Sequence, residues 1–110
     1  MENYNTGDIV LVRFHPAYGQ ELKKFRPAVI ISPNANKIDD RFVIIIPFTT
    51  QTSLKNEYEI AIQNEGLEKE SLLLCWYILT IDCSRIVDHL GKLKIADLKL
   101  VQSKINKLLS

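Results

Sequence analysis

The chain has 110 residues, 46% hydrophobic and 25% charged, with a formal net charge of +1 and a pI near 7.8. A single domain of this size closes a core without disulfides or a metal. Its longest apolar run, "LLLCWYIL" at 72–79, is far too short for the roughly 20 residues of a bilayer-spanning helix. Cys75, Cys83, His15 and His89 lack zinc-ligand spacing, so the cysteines read as small buried hydrophobes and no metal or other cofactor is expected. No apolar leader follows the polar "MENYNTGD", and the expected location is the cytoplasm.

In chain order, Gly7 precedes an alternating strand over 8–14, "DIVLVRF". A polar loop follows, in which His15 reads as a loop histidine with a polar contact. Lys23, Lys24 and Arg26 then run into "PAVIIS" at 27–32, and "FVIIIPF" follows at 42–48. These Val- and Ile-rich runs suit strands buried on both faces, and "PNANKIDD" between them is turn chemistry. Tyr58, Ile60 and Ile62 give 57–62 a half-buried face. Another buried strand is expected over 72–81 and a shorter one over 85–90, ended by Gly91. The tail changes period: Leu98, Val101, Ile105 and Leu108 mark an amphipathic helix, with Asp97 near its start and Lys104 and Lys107 near its end, which suits the helix dipole. Mostly short strands with one closing helix predict an α+β fold, a strongly bent sheet or partly open barrel. Strands buried on both faces need a cover, which a second copy would supply.

Charge is unevenly placed. Glu57, Glu59, Glu65, Glu68 and Glu70 crowd one stretch, while Lys23, Lys24, Arg26, Lys37 and Arg41 lie earlier, so a basic patch coexists with a near-neutral total. An arginine that opens an apolar strand and is restricted by Pro27 has two readings. It is a solvated strand end, or it is an anion site at the strand's mouth.

"GDIVLVRF", "GQELKKFRPAVIISP", "IPFTTQT", "TID" and "GKLKIADLKLVQSKINKLL" occur in that order. Together they resemble the MazF/PemK family of toxin–antitoxin ribonucleases over residues 7–109. The resemblance implies a small SH3-like β-barrel with a C-terminal helix, spanning 1–110 as one domain and paired as a homodimer. It also implies metal-independent cleavage of single-stranded RNA at short preferred sequences, a cognate antitoxin that holds the toxin inactive, and DNA binding in company with that antitoxin. On matching motifs Glu21 of "GQE", Arg26 of "RPAV" and Thr49 of "TTQ" carry over as catalytic candidates. Gly19, Gln20, Lys23, Lys24, Thr50, Gln51, Trp76 and Tyr77 are candidate RNA contacts.

Such cleavage uses the substrate's 2′-hydroxyl as nucleophile, which separates RNA from DNA. Arg26 suits the phosphoryl oxygens, since guanidinium binds phosphate through a rigid fork and stays charged. Its side chain is expected to be accessible. The Thr49 hydroxyl suits a phosphoryl oxygen, and Glu21 acts as base or orients Arg26. The segment before "TID" departs from the family, whose members often carry an acidic residue and Gln where Trp76 and Tyr77 stand, and arginine at Leu79. The two aromatics stack on RNA bases or pack in the core or a dimer interface. Two alternatives remain open. One is a non-cleaving relative that binds RNA or antitoxin. The other is a CcdB-like gyrase poison, although this chain ends "NKLLS" and not Trp-Gly-Ile.

Overall fold

The structure, a computed structural model, describes residues 4–14, 25–32, 39–50, 53 and 56–110. Gly7 has φ of +94°, a left-handed conformation that a side chain would strain. Its N–H donates to the Ile30 carbonyl (2.8 Å) and its carbonyl accepts from the Leu93 N–H (2.9 Å). The chain then enters β1 (Asp8–Arg13). Antiparallel to β1 runs β2 (Phe25–Ile30), and antiparallel to β2 runs β3 (Phe42–Thr49). The other edge of β3 carries two strands in turn, β5 (Ser71–Leu74) at its end and β6 (Leu79–Asp82) at its start. Outside β5 lies β4 (Glu59–Ile62), and outside β1 lies β7 (Ile86–Lys92). The path β4-β5-β3-β2-β1-β7 shows no ladder joining its two ends among the described residues. The expected α+β class holds, with the small barrel left open.

The run expected as one strand over 72–81 is broken. Between its pairings with β5 and β6, β3 moves three residues, from Phe48 to Ile45, while its partner moves six, from Leu73 to Leu79. Three residues are therefore surplus, and the chain leaves the ladder through Cys75–Ile78, where the Tyr77 N–H donates to the Leu74 carbonyl at 3.0 Å. This slip puts Trp76 at the surface (40% exposed). Other boundaries shift as well: β2 runs from Phe25, ahead of Pro27, to Ile30, β4 begins at Glu59, and β7 continues through Gly91 to Lys92.

β2 and β3 are buried on both faces, as their apolar runs predict, and so is most of β1, which the sequence marked only as an alternating strand. One face gathers Val10, Val12, Ala28, Ile30, Val43 and Ile45, with Tyr4 and Phe14 over them. The other gathers Ile9, Val29, Ile46 and Phe48 with Ile60, Ile62 and Leu73. The helix α1 (Ile95–Leu109) covers this second face through Val101, with Leu98 and Ile105 beside it, on the periodicity read from the sequence. Val101 is fully buried, a side-chain burial worth about 1.5–3 kcal/mol. A second copy is thus not needed to cover β3.

Candidate functional site

The β2–β3 ladder begins at Ala28 opposite Pro47, next to Pro27. Proline has no N–H to contribute, so the ladder stops there. Carried two residues further, the same register sets Arg26 opposite Thr49, and one more sets Phe25 opposite Thr50. β5 pairs Leu72 with Thr49, so the next step places Ser71 beside Thr50. Residues opposite one another share a face and neighbours along a strand do not. Arg26 and Thr49 therefore share one face at the sheet's end, and Phe25, Thr50 and Ser71 the other.

Arg26 is not the accessible strand-end residue expected from the sequence. It is 7% exposed. One terminal guanidinium nitrogen donates to the Phe48 carbonyl at 3.0 Å, while Nε is buried with no hydrogen-bond partner among the described residues. No acidic side chain pairs with it among the described residues. Burial pulls its pKa below the ordinary arginine value, yet guanidinium stays charged at neutral pH. A buried cation with an unused donor is costly until an anion or acceptor reaches it. The burial of Arg26 speaks against the solvated strand-end reading.

A cleft of about 390 Å³ lies at the same sheet end. Its walls include Leu11, Phe25, Arg26, Pro27, Phe48, Thr49 and Thr50, with Leu67, Glu68, Lys69, Ser71 and Leu90 closing it. Glu68, Lys69 and Ser71 escaped the sequence reading. The signal that finds them is register: β5 against β3 delivers Ser71, and with it the turn before β5, to Thr49 and Thr50. The Ser71 hydroxyl donates to the Lys69 carbonyl (3.1 Å), which fixes that turn. Neither Glu68 nor Lys69 forms a side-chain hydrogen bond or ion pair among the described residues.

Trp76 and Tyr77 do not line this cleft. From Ser71, β5 runs about 10 Å to Leu74, and the two aromatics follow in the turn beyond. Their rings stack with centroids 5.1 Å apart. The Trp76 indole N–H donates to Glu59 Oε2 at 2.8 Å. Tyr77 packs against the first core cluster, while Trp76 stays at the surface. Gly19, Gln20, Glu21, Lys23, Lys24 and Gln51, with His15, lie outside the described residues. Cys75 is buried and its thiol is pushed up to about 11 by that burial. Burial also raises the Cys83 thiol, which is half-buried. No group of three metal-ligating side chains occurs among the described residues.

The same small sheet with a C-terminal helix defines a known class of toxin fold. MazF from Deinococcus radiodurans superposes with a TM-score of 0.82 at 24% identity, over 99% of this chain and 98% of that one. MazE–MazF from the same organism superposes at 0.80 and 20% identity, over 100% and 98%. Curated relatives include the endoribonuclease toxin MazF of Escherichia coli K12, 29% identical over 104 residues, 94% of this chain and 91% of that protein. The endoribonuclease EndoA of Bacillus subtilis 168 is 31% identical over 93 residues, 79% and 78% of the two chains. The pattern of the PemK-like, MazF-like toxins of type II toxin–antitoxin systems matches residues 5–109, and the chain belongs to that family.

Proposed function

We propose that this protein is the toxin of a type II toxin–antitoxin pair and an endoribonuclease that cuts single-stranded RNA without a metal, by attack of the 2′-hydroxyl on its own phosphodiester. The observation that carries the reading is Arg26, a buried guanidinium with an unused Nε among the described residues, which the β2–β3 register, continued past Pro27, sets opposite Thr49. Arg26 holds the phosphoryl oxygens as charge develops on them. The Thr49 hydroxyl bonds one of those oxygens. Glu21 either takes the 2′-proton or orients Arg26, and Gly19, Gln20, Lys23, Lys24, Thr50 and Gln51 line the path of the RNA. Relatives named endoribonuclease support the activity, and MazF solved together with MazE supports a cognate antitoxin as partner.

Residues 1–110 act as one unit, in the cytoplasm where messages are found. No described helix is long and apolar enough to cross a membrane. The unit works as a homodimer; light scattering at micromolar concentration should give twice 12.6 kDa, and a clean 12.6 kDa particle would refute the pairing.

The deciding experiment is incubation with a long mixed-sequence RNA in EDTA, reading fragment ends, beside Glu21→Gln under single-turnover conditions. Wild type should leave discrete ends. Loss of about 10²–10⁴-fold in Glu21→Gln with RNA affinity kept identifies Glu21 as the base, and an equal rate removes it. Trp76 at the family's acidic position favours one competing reading, a non-cleaving binder of RNA or antitoxin. Intact RNA across a broad set of sequences would select it.

A further inference from the structure

The cleft beside Arg26 has a composition that phosphate binding does not require. Phe25 is 47% exposed and stands on its wall, with Leu11, Leu67 and Leu90 completing an apolar slot. Two charges stand at the slot, the Glu68 carboxylate and the Lys69 ammonium, neither of them hydrogen-bonded or ion-paired through its side chain among the described residues. Its volume, about 390 Å³, falls within the range of small-ligand sites. Because Phe25 and Arg26 are neighbours in β2, their side chains leave the strand on opposite faces at the same sheet end. A nucleotide whose phosphate meets Arg26 and Thr49 can turn its base over the strand end into the slot.

We propose that this cleft is a nucleobase subsite, contiguous with the Arg26–Thr49 phosphate position, that selects a base bearing an exocyclic amino group next to the scissile phosphate. Phe25 supplies the stacking face, which accepts any base. Glu68 supplies the selection. A carboxylate only accepts hydrogen bonds, so it suits the amino group of cytosine, adenine or guanine. Uracil offers one N–H flanked by two carbonyl oxygens, which the carboxylate repels. Lys69 pairs with the next phosphate along the strand and anchors the direction of the chain. The apolar walls and the carboxylate both disfavour a phosphate inside the slot itself.

This inference rests on the ribonuclease reading, and its test separates the two. Cleavage sites of wild type are first located on a long RNA. Short RNAs are then made that differ only in the bases flanking the cut, together with copies carrying a 2′-deoxy sugar there to prevent cleavage. Phe25→Ala should lower kcat/KM on the preferred RNA, and affinity for its deoxy copy, by about 5- to 150-fold. Phe25→Trp should restore most of both. Glu68→Gln, whose amide both donates and accepts, should collapse the discrimination against uracil at one flanking position while leaving other positions unchanged. Matching thermal unfolding curves would show that the half-exposed Phe25 is not merely structural. Unchanged rates, affinities and base preferences in Phe25→Ala and Glu68→Gln would overturn the subsite and leave the nuclease standing. RNA that binds with these dependences but is never cut would overturn the nuclease and leave the subsite standing.

Discussion

Two buried charges sit near the two ends of β5, and they are handled in opposite ways. Arg26, near one end, is 7% exposed and keeps Nε without a partner. Glu59, which pairs with Leu74 at the other end, is also 7% exposed. It accepts the Trp76 indole N–H at 2.8 Å and a longer contact from Asn56 Nδ2 at 3.5 Å. Burial costs either ion several kcal/mol if uncompensated. Glu59 is compensated by its own chain and explains where Trp76 sits. Among the described residues Arg26 is compensated only in part, by the Phe48 carbonyl. A satisfied buried charge is a structural part. An unsatisfied one is held in a costly state that a ligand relieves, so function is expected at Arg26 and architecture at Glu59.

The comparison breaks most visibly at Arg26. Arg26→Met keeps the side chain's length and apolar stem while removing the charge. Loss of a preorganised donor to a developing oxyanion costs about 10²–10³ in rate, so cleavage should fall at least that far. Stability should not fall with it, because replacing a poorly compensated buried charge by an apolar side chain is often neutral or favourable. Arg26→Lys should fail to restore the rate, since ammonium lacks the guanidinium fork. Thermal unfolding and single-turnover cleavage on the same preparations check both halves. A large drop in Tm with activity per folded molecule retained would make Arg26 a structural residue.

Glu59 should show the reverse pattern. Glu59→Leu leaves the Trp76 N–H and the Asn56 amide without their acceptor, at about 1 kcal/mol, or roughly 4 °C in Tm. Cleavage per folded molecule should stay the same. The chain has one tryptophan, so its fluorescence reads this site alone, and the emission should change as the ring loses its anchor. Unaltered emission and Tm would show that the 2.8 Å contact orients nothing.

Much of this contrast could be read in advance, and the unread part has a common cause. "RPAV" and "TTQ" marked Arg26 and Thr49, and the Val- and Ile-rich runs marked β2 and β3, because both signals are local. Leu98, Val101 and Ile105 announced the helix for the same reason. The burial of Arg26 was not legible, since it depends on neighbouring strands. The break within 72–81 was hidden because an unbroken apolar run looks alike with or without a three-residue slip. That slip decides whether Trp76 is core or surface. Glu68, Lys69 and Ser71 were invisible as site residues because only the pairing of β5 with β3 carries them to Thr49. Glu21, legible as a motif residue, lies outside the described residues, so its partner is a matter for the kinetics above.

A third charge arrangement gives the smallest expected effect and completes the scale. Glu57, just before β4, meets Lys107 of α1 at 3.1 Å, with both side chains largely in solvent. The hydrogen bond from Lys107 holds the Glu57 carboxyl below its ordinary 4.5, and Glu57 in turn raises Lys107 above its ordinary 10.5. The depressed acid contributes stability that is complete above about pH 4.5 and disappears as pH falls through its lowered folded value. The raised base contributes stability that is complete below about pH 10.5 and disappears as pH rises through its higher folded value. Between those limits the pair is independent of pH. Glu57→Gln should therefore sit slightly below wild type in Tm at pH 7, converge with it as pH falls through the lowered folded value of Glu57, and converge also in 1 M salt, where exposed charges are screened. Neither cleavage nor Trp76 emission should respond. A Tm gap that survives both acid and high salt would mean that Glu57 behaves like its buried neighbour Glu59, and that exposure is a poor guide to which charges this fold depends on.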